Sequence, residues 1–309
     1  MIKYVARRII EILIMMLVLS FIVYGIMSIT GDPARTLAGE YATEEDIAQL
    51  RESMGLNDPL VVRYGRYIWG VFHGNFGTGL FGDDVFEEFS NRIAYTIELA
   101  IVAMVITVII AIPLGIIAAV KQNSMADTTL SVIAMAGISI PGFWLGLILI
   151  IIFAVNLHWL PTSGATEGFK SVILPAFCAG FSNASLVMRM TRASMVENLH
   201  SDFLRTARAK GVSERSVILK HTLKNALIPI ITMVGSQFSI LMGGTVVIES
   251  VFAWPGVGYH LISSIRSNDY NMVTGFVLLT TIFIASVLLL VDILYAFVDP
   301  RIKARYTGR

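Results

Sequence analysis

Apolar positions along the chain gather into six runs, approximately 9–30, 97–120, 131–155, 172–190, 228–249 and 273–297. Each is long enough to cross a bilayer, which takes about 20 residues of helix, so the pattern predicts an all-α membrane protein with six transmembrane helices. The fourth run is the least continuous, because Ser182, Asn183 and Ser185 interrupt it and Arg189 closes it. The first follows Lys3, Arg7 and Arg8 as a secretory signal would. It is too long for a signal's hydrophobic region, however, and Ile29-Thr30-Gly31-Asp32-Pro33 offers no small-x-small cleavage site. It reads as a retained span.

Two polar segments between the runs are long enough to carry structure. In 31–96, Thr43-Glu44-Glu45-Asp46 precedes Ile47, Leu50 and Met54, which predicts a short amphipathic helix ending at Gly55. In the second, Ser201 to Gly211 has a serine at the N-cap, an acid in the first turn, cations in the last turn and a glycine where a helix stops. So short a helix is marginal alone in water, and Thr206, Ala207 and Ala209 bury little, so something else must hold it. A further amphipathic stretch, Ser213 to Asn225, places Leu219, Leu223 and Leu227 on one face before Pro229 opens the fifth span. The chain therefore divides into 1–96, the first span with an extracytoplasmic segment, and 97–309, five spans with a loop at 191–226.

Composition agrees: 55% of residues are hydrophobic and 15% charged, against roughly 45–50% and about 25% in soluble domains. The balance of 23 Lys+Arg against 22 Asp+Glu leaves no basic field for nucleic acid. The single cysteine, Cys178, permits neither an intrachain disulfide nor a multi-cysteine metal site. With the N-terminus inside, 16 of the 23 cations fall on the cytoplasmic side, four of them in 299–309. Both termini are then cytoplasmic and the 191–226 loop faces the cytosol. Trp69, Trp159 and Trp254 fall near outer span ends, as an aromatic belt would.

Catalytic chemistry finds no foothold. The five histidines form no i, i+4 pair and no His-Glu-x-x-His run, and Gly180-Phe181-Ser182 lacks a histidine base within any span. No metal site and no enzyme is expected. Spans two to five carry no charge at their centres, which disfavours a secondary transporter driven by an ion gradient. A phosphate-binding Gly-x4-Gly-Lys-Ser/Thr loop is missing too, so the chain has no such cradle for ATP.

Arg205-Thr206-Ala207-Arg208-Ala209-Lys210-Gly211, with His221-x-Leu223-x-Asn225-Ala226-x-x-Pro229 ten residues on, resembles the cytoplasmic signature loop of ATP-binding-cassette importer permeases. Within these it resembles the peptide/nickel subfamily of dipeptide, oligopeptide and glutathione permeases. Gly31-Asp32-Pro33, Met54-Gly55-Leu56-x-x-Pro59-Leu60, Gly74-Asn75-Phe76-Gly77, Glu249-x-Val251-Phe252-x-Trp254-Pro255-Gly256-x-Gly258, Asp269-Tyr270 and Asp299-Pro300-Arg301 extend the likeness over most of the chain. It departs from the broader signature in having Arg205-Thr206-Ala207 for Glu-Ala-Ala and Leu223-Lys224 for Leu-Pro.

The resemblance implies a type I importer permease fold in the cytoplasmic membrane. It also implies a homologous second permease, two cytosolic ATPase subunits that carry ATP and magnesium, and an extracytoplasmic solute-binding protein. The 201–211 helix would then couple to the ATPase through Phe203, Arg205, Thr206, Ala207 and Arg208, with Gly211 ending it. Peptides or glutathione are the favoured solutes, a nickel or metal-chelate cargo being the alternative. For the pore, Thr232, Ser236, Ser239 and Gly243 share one face of the fifth span with Gln237 alongside, where small residues serve close helix packing or line the path. Glu249 and Trp254, beside a Pro-Gly turn at the outer end of that span, mark an outer gate or a contact for the binding protein. Asp292, near the inner end of span six, is expected to pair with a cation.

Overall fold

The computed structural model describes residues 2–39 and 41–298, and every regular element among them is a helix. In order they are α1 (Ile2–Thr30), α2 (Pro33–Ala38), α3 (Glu44–Ser53), α4 (Leu60–Phe72), α5 (Val85–Val120), α6 (Met125–Ser139) and α7 (Gly142–Leu149), which continues as a π-helical segment Ile150–Asn156. Then come α8 (Phe169–Leu199), α9 (Asp202–Ala209), α10 (Glu214–Ser216), a second π segment Val217–Thr222, α11 (Leu223–Gly244), α12 (Val246–Val251), α13 (Val257–Arg266) and α14 (Tyr270–Val298). The side chains of Lys3, Arg7, Arg8 and Asp292, and residues 299–309 with their four cations, lie outside the described residues.

Among the described residues, five helices are unbroken and apolar enough to cross a membrane. The third apolar run is different: α6 and the α7 arm that ends at Asn156 meet at 100°. Pro141 explains the break. It stands at the N-cap of α7 with no N–H to give, and Ile140 before it is extended, with φ −80° and ψ 121°. Six crossings are reached only if this bent pair counts as one.

The helices form two compact units. One holds the chain up to Thr96 and returns for Pro255–Leu289, so the boundary at 96/97 falls inside the unbroken α5. Its core joins Val85, Phe89, Val257, Met272, Phe276 and Leu279. The expected α3 is present with a full capping box: Asp46 N donates to Thr43 Oγ1, and Thr43 N donates to Asp46 Oδ2. The pattern reading missed α2, α4 and α13, which lie in segments too short or too mixed to show an apolar run.

The second unit is organised on α8, against which α6, α7 and α11 pack. Close approach is what its small residues provide. A Cβ on Gly180 would come within 2.7 Å of the Ala103 carbonyl oxygen, so α5 and α8 touch backbone to backbone there. Gly142 and Gly146 of α7 face Ile248 and Phe252, as a packing role requires. At one end of the unit, Asp127 in the first turn of α6 takes a two-pronged bond from Arg192 of α8, at 2.6 and 2.7 Å.

Candidate functional site

The loop between α8 and α11 is built from its ends inward. Ser201 occupies the N-cap of α9 in an extended conformation, but its hydroxyl donates to the Asn198 carbonyl at 2.6 Å and does not cap the helix. The far end closes as expected. Gly211 has φ +78°, its N–H meets the Arg208 carbonyl, and Val212 N–H meets the Ala207 carbonyl, the two bonds of a Schellman motif. Glycine adopts this left-handed conformation without the penalty a Cβ imposes.

Leu204 supplies the hold that an eight-residue helix needs. It is fully buried, as is Val217 on the π segment against which α9 packs. Arg208 reaches across to Glu214 with two bonds of 3.1 and 2.8 Å, and that carboxylate raises the guanidinium above its ordinary value. At 100° per residue the side away from Leu204 presents Asp202, Phe203, Arg205, Thr206 and Ala209, all exposed. Of the residues expected to meet an ATPase, Phe203, Arg205 and Thr206 therefore point outward, whereas Ala207 is half-buried on the Leu204 side and Arg208 is committed to Glu214.

The expected apolar stripe Leu219, Leu223, Leu227 does not hold: Leu219 is exposed, and the buried positions are Val217, Thr222, Ala226 and Ile230. The cause is the π segment, in which Thr222 Oγ1 donates five residues back to the Val217 carbonyl. One extra residue per turn shifts the inward face, after which the ordinary i+4 spacing resumes. Ala226 and Ile230 then pack with Ala119 and Met195, joining the loop's exit to α5 and α8.

Along α11 the structure separates the pore candidates. Thr232, Ser236 and Gly243 are exposed on one side, while Gln237 and Ser239 are buried, Ser239 donating to the Gly235 carbonyl and Gln237 lying against Met233 Sδ. Glu249 is fully buried and accepts from Thr245 Oγ1 at 2.9 Å, and its backbone carbonyl takes the Trp254 N–H. Trp254 is buried as well, its side chain packed inside the chain. The pattern reading missed two features beside this helix. A hollow of about 540 Å³ is lined by Met135, Arg189, Met190, Arg192 and Met233, and a smaller one of about 150 Å³ by Asn183, Cys178, Ile240 and Thr245.

Residues 111–304 match the family model described as "Binding-protein-dependent transport system inner membrane component", and residues 1–81 match "Binding-prot-dependent transport system membrane comp, N-term". The protein "Glutathione transport system permease protein GsiC" of Salmonella paratyphi A is 42% identical over 305 residues, covering 98% of this chain and 99% of that one. Its namesake in Escherichia coli (strain K12) is 41% identical over the same share. Among solved structures, an inward-facing form of the MetNI methionine ABC transporter superposes with a TM-score of 0.59 at 17% identity, over 68% of this chain and 96% of that one. That last likeness is one of fold.

Proposed function

The chain belongs to the family of binding-protein-dependent transport system inner membrane components, and from that premise we propose how it works and what it carries. It is a multi-pass permease subunit of an ATP-binding-cassette importer in the inner membrane, a membrane component and not an enzyme, and importers of this family act with ATPase and binding-protein partners. In our reading the assembly adds a homologous second permease and two cytosolic ATPases, which bind the ATP and magnesium. The solute is glutathione or a short peptide, a reading supported by the name of relatives 41–42% identical over nearly the whole chain.

The observation that carries the mechanism is α9: an outward face of Phe203, Arg205 and Thr206 above one buried anchor, Leu204. Seated in an ATPase groove, such a helix passes displacement to α11 through the π segment that it packs on. Closure of the ATPase dimer brings the two permeases' α9 helices together and opens the path outward, and hydrolysis resets it. Thr232 and Ser236 line that path, and Glu249 with Trp254 braces its outer end.

The test is uptake of labelled glutathione into proteoliposomes that hold the whole complex, with ATP on the ATPase side and the binding protein on the other. Uptake that needs ATP and is competed by short peptides is expected. Uptake driven by an ion gradient without ATP overturns the mechanism; ATP-driven uptake of another solute, but not of glutathione or peptides, overturns only the substrate.

A further inference from the structure

Helix α4 corresponds to none of the six apolar runs, and its two sides differ. One side is tied to α1. The Tyr64 hydroxyl donates to the Leu17 carbonyl at 2.9 Å and lies 2.8 Å from Ser20 Oγ. The Tyr64 ring meets Phe21 and Tyr24 edge-on at 5.1 and 5.7 Å. Arg63 turns the other way along α1, donating to Ser28 Oγ at 3.1 Å and lying over the rings of Tyr24 and Tyr270. The opposite side of α4 faces outward: Val61 and Trp69 are 69% exposed, Phe72 64% and Val62 50%, with Gly65 and Arg66 exposed among them and the Trp69 ring against His73 at 4.7 Å.

Those bonds fix a depth. The apolar part of α1 runs from Ile9 to Thr30, so at a rise of 1.5 Å per residue Ser20 lies about 15 Å and Leu17 about 20 Å below its outer end. A tyrosyl side chain covers less than half of that distance, which leaves the α4 backbone itself below the level of Thr30. Phe21, Ile22 and Ile26, the outward neighbours on α1 at the same level, are exposed side chains of a membrane span. The outward face of α4 therefore continues a surface that the bilayer already covers.

We propose that α4 lies within the outer leaflet, with Val61, Val62, Trp69 and Phe72 seated among lipid acyl chains. The chemistry fits. An interfacial amphipathic helix buries its apolar face about 5–10 Å into the boundary between headgroups and acyl chains, and cations on such a helix send their heads outward. Arg63 does this toward Ser28, and Arg66 does so toward Asp58 at 2.7 Å. The segment after α1 thus leaves the membrane through α2 and α3 and dips back into it before α5.

The experiment uses the whole complex in nanodiscs, with Cys178→Ala and single cysteines carrying a nitroxide, read by collision with oxygen, which concentrates in lipid, and with a water-soluble nickel chelate. Val61→Cys and Val62→Cys replace exposed residues and remove no packed side chain. Ile14→Cys on α1 serves as the lipid reference, and Tyr41→Cys, at a position 99% exposed, as the aqueous one. At 61 and 62 oxygen collisions should exceed chelate collisions by several-fold, as at 14. Chelate access like that at 41 overturns the proposal, whether or not the solute-binding protein then removes it. So does low access to both reagents, which would mean that another subunit covers the face.

Discussion

Helices α3 and α9 both lie outside the membrane spans, both are short, and both end in the same way. Gly55 N–H bonds the Glu52 carbonyl and Leu56 N–H the Arg51 carbonyl, just as Gly211 and Val212 do at α9. Their beginnings differ. Helix α3 opens with a reciprocal capping box and three acids in its first turn, and Thr43 holds the Asp46 carboxyl below its ordinary value by donating to it. Helix α9 has one acid, and its N-cap serine is bonded elsewhere. A helix closed by its own hydrogen bonds keeps its shape wherever it is placed. Helix α9, uncapped at its start, leans on Leu204 and on the Arg208–Glu214 pair and so follows what those rest on, the property that the proposed coupling role needs.

The sharpest way to break the comparison is to remove the anchors. Leu204→Ala, at a fully buried site, should cost about 2–5 kcal/mol, release the ATPase subunits in a pull-down and lower ATP-driven uptake more than tenfold. Ile47→Ala, the buried position of α3, should leave ATPase retention unchanged. Equal loss in both would dissolve the contrast. A smaller effect comes from the shared ends: Gly211→Val and Gly55→Val each force a β-branched residue into the left-handed region, at roughly 1–2 kcal/mol. Only the first should slow uptake, with the inserted protein still paired with its partner permease.

The smallest effects sharpen the starts. Thr43→Ala should cost about 1 kcal/mol of α3 stability, read as faster amide exchange in its first turn, while Ser201→Ala should leave α9 exchange unaltered because no cap is lost. Acid should act in the same direction. The folded Asp46 carboxyl lies below its ordinary value of 3.8, so its contribution is complete above that value and fades as pH falls through the folded one. Thr43→Ala, which removes the donor, should blunt that acid response, and an unchanged response in the first turn of α3 would contradict the assignment.

What the sequence told in advance follows from the range of the forces involved. The spans, the α3 box and the glycine stop of α9 are local patterns of apolar run, cap and turn, and they were readable. Leu204 as anchor was not, because the 201–211 pattern advertises its small and charged residues and says nothing of Val217 waiting across the turn. The stripe through Leu219 failed for a related reason: periodicity assumes 3.6 residues per turn, and the Val217–Thr222 segment departs from it. Ala207, named on the resemblance alone, stands half-buried by its own chain, a placement that depends on the same distant packing. Helix α4 hid because tyrosines and arginines dilute its apolar side.

The elbow at Pro141 has a consequence for how the chain is threaded into the membrane. Each of its arms is 15 residues, about 22 Å, short of the roughly 30 Å of hydrocarbon that a straight crossing needs. Across their 100° bend the two arms together make one crossing or none. A chain changes sides at every crossing, so this one segment sets the parity of everything downstream. Counted as a single crossing, it delivers α9 to the same side as the N-terminus. Were both its ends to emerge on one face, α8 would run the other way and α9 would meet the cell exterior, where no ATPase waits.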